Sequence, residues 1–164
     1  MRLRIACALA VILLPALMLA GCSSPNIDVA ATIKVGNLTT GWFDAGVTPA
    51  GNKLVPSASF TVTNAGAAAI DALQVFSVFR YVGETEELGS SLVILHGADA
   101  LGPNATSKPL TVRGIWGFTG QQPRAQMLMH REFKDARVEI FAKYGSGQFI
   151  KLTEVKVQRQ LLTR

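Results

Sequence analysis

Thiols and imidazoles are scarce in this chain. Of its 164 residues, two are cysteine and two are histidine. The cysteines are Cys7 and Cys22. Beyond them there can be no disulfide, no thiolate metal site and no thiol nucleophile. His96 and His130 have no second histidine at a metal-binding spacing. Glu84, Glu86 and Glu87 lie close together but lack the Asp-x-Asp-x-Asp-Gly pattern of a calcium loop, so they read as a solvated turn. No metal and no cofactor are expected. Gly-x-Ser-x-Gly, Walker and Gly-x-Gly-x-x-Gly patterns are absent. A hydrolase would need a Ser–His–Asp set assembled in space, and the chain is not read as an enzyme.

Concentrated charge is missing too. The formal net charge is +5, two units of which sit on Arg2 and Arg4. Further along, basic residues alternate with acids, as in Arg131-Glu132 and Lys134-Asp135. That is a solvated mixed surface, and nucleic acid is not an expected partner. The one long apolar run, residues 5–20, is broken by Pro15 and falls short of the roughly 20 residues a spanning helix needs. There is no internal repeat and no low-complexity tract.

What is present starts at the N-terminus. Arg2 and Arg4, the apolar run and the small residues after it make a secretory signal. Leu19-Ala20-Gly21-Cys22 resembles the lipobox of bacterial lipoproteins. The resemblance implies a diacylglycerol on the Cys22 thiol, cleavage after Gly21 and acylation of the new amino group. Several chains on one residue give stable anchoring. Ser23 follows, where an aspartate would favour retention in the inner membrane. The resemblance therefore implies the outer membrane, facing the periplasm, over the inner membrane. The chain divides into a signal peptide (1–21), a lipidated tether (22–28) and one domain (29–164). The tether is so short that the domain should sit against the bilayer.

The domain reads as strands. Val29, Ala31, Ile33 and Val35 alternate with smaller or polar residues, and the pattern runs towards Leu38. Residues 39–55 carry Gly41, Gly46, Pro49, Gly51 and Asn52 and read as a long loop containing Trp42 and Phe43. Ala58, Phe60 and Val62 mark a half-buried strand. Residues 73–82 are apolar on both faces, as expected of a central strand covered on each side. Residues 91–96 form a short strand. Leu110, Val112, Trp116 and Phe118 share a face of the next, with Gly114 marking a bulge or a close backbone approach. Val138, Ile140, Ala142 and Tyr144 lead through Gly145-Ser146-Gly147 to a return strand. Its apolar phase switches at Thr153-Glu154, which implies a bulge or a change of partner sheet. Seven strands with turns between them predict an all-β fold, a single immunoglobulin-like antiparallel sandwich.

One stretch is too long for such a fold, residues 117–135 between the fifth and sixth strands. Pro123 suits a helix start and residues 124–133 a short helix, with Met129 and Phe133 as neighbours. Either the helix closes one end of the sandwich with its Met-Leu-Phe face, or Gln121, Gln122 and Arg124 offer polar groups beside Trp116 and Phe118 to a partner. Residues 117–129, 135–147 and Arg159-Gln160-Leu161-Leu162 resemble a group of short proteobacterial lipoproteins with no assigned activity. Asn64-Ala65-Gly66 after Phe-Thr-Val-Thr is similar to many bacterial envelope immunoglobulin-like domains. The expectation is a non-catalytic, lipid-anchored binding or assembly module facing the periplasm. It would touch the membrane through Cys22 and an envelope protein through Trp42, Phe43, Trp116, Phe118, Gln121, Gln122 or Arg124. The alternatives are an accessory subunit of an envelope or secretion complex, paired through an open sheet edge, and a binder of small ligands or cell-wall glycan.

Overall fold

The computed structural model describes residues 27–162. The signal segment and Cys22 lie outside the described residues.

The chain enters through one helical turn, α1 (Val29–Thr32), where a strand is predicted. The Asp28 carboxylate accepts from the Ala31 amide at 3.1 Å. That N-cap outweighs the alternating pattern and turns Val29 into the core. β1 (Ile33–Thr48) and β2 (Gly51–Asn64) follow as one long antiparallel hairpin. The expected loop over residues 39–55 is therefore strand, and its glycines have local reasons to be there. β1 is bulged between Gly36 and Thr39 and between Asp44 and Val47. At the second bulge Gly46 takes a φ of +93°, which only glycine adopts without strain. A side chain at Gly41 would run into Leu162, its Cβ 2.7 Å from the leucine.

β3 (Leu73–Tyr81) and β4 (Glu87–Leu95) make a second hairpin, and a short 3-10 turn (Gly97–Asp99) follows. The predicted fifth strand breaks in two, β5 (Leu110–Arg113) and β6 (Phe118–Gly120). The break sits on the glycines flagged in the sequence. A Cβ on Gly114 would lie 2.9 Å from Pro56, and one on Gly117 would overlap the Leu54 carbonyl. The predicted helix over 124–133 shrinks to α2 (Arg124–Met127), a single turn. β7 (Ala136–Lys143) and β8 (Ile150–Lys156) form a third hairpin, and β9 (Leu161–Leu162) ends the described chain.

Two sheets result, ordered β5-β2-β1-β9, with β6 also on β2, and β4-β3-β7-β8. Lettering the longer strands A, B, C, C′, E, F and G gives A, B and E facing C′, C, F and G, the immunoglobulin-like arrangement. The fold is an all-β sandwich as expected. The expected bulge in β8 falls at Leu152, since Ile140 pairs Thr153 while Phe141 pairs Lys151. The chain then crosses to the other sheet, where β9 lies parallel to β1.

The core lies between the sheets. Ile33, Trp42, Leu54, Phe60, Phe79 and Ile140 are fully buried there. At one end, Asn64 replaces a hydrophobic plug. Its buried amide donates to the carbonyls of Ala68, Leu101 and Gly102, and its Oδ1 accepts from the Gly66 amide. Four backbone groups of two loops are thus satisfied by one side chain. At the other end the plug is apolar. Met127, Leu128 and Phe133 seal it, and Phe133 meets Trp42 edge to face at 4.5 Å. The helix-as-lid reading holds, although Met129 is 78% exposed and Met127 takes the buried position. Trp42→Ala should lower the unfolding free energy by about 3–5 kcal/mol. Urea titration followed by circular dichroism checks this, and a midpoint unchanged from wild type would contradict the packing described.

Candidate functional site

The strands place the sequence-nominated residues at one end of the sandwich. This end holds the β1–β2 hairpin tip, the β3–β4 turn and the segment 113–136. It is distal to residue 27, which enters beside the start of β1. Among the described residues, no group of three or more His, Asp or Glu side chains could hold a metal ion. His130 accepts from the Glu132 amide through Nδ1. Among the described residues neither it nor His96 is hydrogen-bonded to a serine hydroxyl.

Most of the nominated side chains fasten the fold and do not face a partner. Trp42 belongs to the core, because the bulged strand turns its ring inward. Its indole N–H has no partner there, a cost the burial of the ring outweighs. Phe43 is half-buried, with the Arg113 guanidinium 3.5 Å from its ring centroid. Phe118 is half-buried against Phe133 at 5.2 Å and His130 at 5.6 Å. The Gln121 amide donates to the Ala50 carbonyl at 3.0 Å. The Gln122 carbonyl accepts from the Asn52 side chain at 2.8 Å, and Arg124 pairs with Asp44. Together they clasp segment 120–124 onto the tip of the first hairpin.

Trp116 is the exception. It is 64% exposed, with Lys53 Nζ 5.2 Å from its ring centroid. The glycines on either side fix it. Closely packed against β2, they leave its backbone no room to turn inward, and its amide donates to the Leu88 carbonyl at 2.8 Å. Trp116 forms one wall of an open cleft of about 390 Å³, with Tyr81, Leu88, Glu86 and Glu87 as the rest. Burial pushes the Tyr81 phenol up from its ordinary value, with Lys134 opposing, so it remains a neutral hydroxyl. Glu87 pairs with Arg80 and Glu84 with Lys134, while Glu86 is in no ion pair among the described residues. The acidic turn seen in the sequence thus meets the aromatic. Their spacing along the chain gave no sign of it, because the pairing is across sheets.

A second feature escaped the sequence. Arg159, near the C-terminus, donates from Nε to Asp135 at 2.6 Å and from its other nitrogens to the Leu128 and Phe133 carbonyls. It also lies over the Phe133 ring. Lys156 completes the pair around Asp135 at 2.7 Å. This latch holds the apolar plug in place.

No family model matches the chain, and no curated protein matches it. Solved structures do, distantly. The Pseudomonas fluorescens alkylpurine DNA glycosylase AlkC bound to DNA with an abasic site analog is 15% identical, with a TM-score of 0.41 over 90% of this chain. The chain spans only 33% of that glycosylase's length. The structural genomics target SoR45 is 14% identical with a TM-score of 0.47, over 79% of this chain and 88% of its own. The CARDB domain of the Pyrococcus furiosus PF1109 protein, in complex with di-metal ions, is 13% identical with a TM-score of 0.36, over 85% and 95%. At such scores a likeness assigns neither fold nor activity, and both rest on the chain's own geometry.

The hydrogen bonds from Arg159, followed by those from Lys156, hold the Asp135 carboxyl below its ordinary value. A depressed carboxylate contributes stability that is present above the unfolded value, about 3.9, and is lost as pH falls through the folded one. Asp135→Asn should therefore lower the urea midpoint near neutral pH, with a smaller deficit at about pH 3. A deficit of equal size at both pH values would show that the latch is not electrostatic.

Proposed function

We propose that this protein is a non-catalytic module of the bacterial envelope. Lipid on Cys22 holds it at the outer membrane, and its distal end faces a protein partner in the periplasm. The signal segment, the lipobox resemblance and Ser23 support the anchor. The Trp116 cleft carries the rest of the reading.

A tryptophan fixed on the surface by its backbone loses little freedom when a partner covers it, which is what makes such residues binding hot spots. The chemistry around it narrows the partner. Two aromatic rings and the Glu86 carboxylate attract a lysine or arginine side chain. Cation–π contact acts within about 6 Å of a ring, and the carboxylate adds a charge-assisted hydrogen bond. The partner therefore presents a basic side chain in an exposed segment. Lys53 already lies 5.2 Å from the Trp116 ring centroid and takes up one side of that ring.

Crosslinking in cells, followed by purification of the full-length lipoprotein, tests the reading. Wild type should recover one dominant envelope protein from the outer-membrane fraction. Trp116→Ala should cost about 2 kcal/mol or more of binding, roughly thirty-fold in affinity, while the urea midpoint stays put. Glu86→Lys should lose the same protein. Cys22→Ser should abolish palmitate incorporation and move the protein to the soluble fraction. Recovery unchanged in both cleft variants would overturn the partner site.

A further inference from the structure

The outer face of the second sheet is not uniform. Towards the distal end it is charged. Glu139, buried on that face, accepts from Arg80 and Arg137, and Arg137 also reaches Glu154. Towards the other end it turns apolar. Phe76 on β3 sits between Leu92 on β4 and Phe141 on β7 in the strand register, and Gln74 sits between Ile94 and Lys143 one row further. The Phe76 ring lies 6.2 Å from Phe141 and 5.6 Å from Phe149. Nothing among the described residues covers this face. Leu92 is 52% and Ile94 49% exposed. The strand that reads as covered on both sides is covered on its inner face, and on its outer face only around Val78 and Glu139. A contiguous aromatic patch open to water marks an interaction surface.

Its position says what covers it. The chain enters the domain at the same end. α1 lies beside β8, and Ala30 and residues 33–38 line a groove with Lys151, Leu152 and Thr153. β8 borders the patch. Only residues 23–26 separate Cys22 from Ile27, five steps of at most about 3.6 Å each, roughly 18 Å in all. An acyl chain on Cys22 therefore brings this end of the sandwich to the bilayer surface. A cation at this end matches phosphate headgroups. Lys143 lies 5.5 Å from the Phe149 ring centroid and takes part in no ion pair among the described residues. Aromatic rings with a lysine beside them suit the boundary between headgroup and acyl chain.

We infer that the Phe76, Leu92, Ile94, Phe141 and Phe149 face lies on the lipid headgroup interface, with Lys143 on phosphate. The inference rests on lipidation of Cys22. The sandwich lies on its second sheet, held by the lipid and the patch together as two signals. The charged half of that sheet and the distal cleft stay in water.

The test uses the mature lipoprotein purified with its lipid, in vesicles of phosphatidylethanolamine with a minority of phosphatidylglycerol. Since a lipidated Cys22 has no free thiol, an introduced cysteine carries a fluorophore alone. Labels go at Phe149→Cys, at Ser146→Cys in the same turn, and at Val47→Cys on the distal hairpin. Nitroxide-labelled lipid should quench the first two several-fold more than the third. Ile94→Asp with Leu92→Asp should bring the first two down to the level of the third without removing the acyl chains. Lipidated protein with equal, weak quenching at every site would overturn the inference. So would protection of the Phe149 label without quenching, together with patch-to-patch crosslinks, since a second copy would then cover the face. A second label on Cys22 and the absence of acyl mass would show instead that the anchor itself is wrong.

Discussion

The sandwich depends on the contact of Trp42 with Phe133. Two sheets facing each other leave open ends, and this domain has no disulfide with which to close them. Trp42 lies in the middle of the longest strand, and Phe133 comes from a segment that belongs to neither sheet. Their edge-to-face packing carries the core past the ends of the strands. Around it the remaining pieces are subordinate. Arg159 holds Phe133 by its ring and its carbonyl, Gln121 and Arg124 tie the same segment to the first hairpin, and β9 lies alongside Trp42.

The two ends of the molecule solve the closing problem with opposite chemistry, and this separates their uses. Asn64 closes the end near the anchor with hydrogen bonds to backbone. Ile70, Leu73 and Leu101 are buried behind it, while Ile94 and Phe149 lie exposed on the outside of the second sheet at the same end. The distal end buries Met127, Leu128 and Phe133 in the plug and leaves Trp116 outside, with Val82, Ile115 and Met129 exposed at the same end. One end thus offers a broad greasy face, the other a narrow cleft with a carboxylate.

Much of the fold was legible in the sequence wherever a strand had one wet face. The alternation at Ala58, Phe60 and Val62, and at Val138, Ile140 and Ala142, marks core positions directly. The loop signal over residues 39–55 misled because glycine and proline carry two meanings. Here Gly41 and Gly51 mark close approach of backbone, to Leu162 and to Gly120, and Pro56 sits in β2 where it has no ladder bond to give. The candidate site was half legible. Trp116 stands out beside its glycines, yet its cleft mates Tyr81 and Glu86 come from another sheet. The polar residues of segment 120–124 looked available because their partners, Asp44, Ala50 and Asn52, are some seventy or eighty positions away. Sequence shows which side chains can bond, and only the register shows which are already engaged.

The long first hairpin also has a mechanical meaning. β1 starts where the chain enters the domain and runs almost the length of it, paired with β2 along its length and with β9 at the far end. A load between the anchor and anything held at the distal end acts along these strands. The ladder is then strained in shear, with many hydrogen bonds sharing the force, and does not peel open bond by bond. A protein strung between a lipid and a partner is thus strongest in the direction in which it would be pulled.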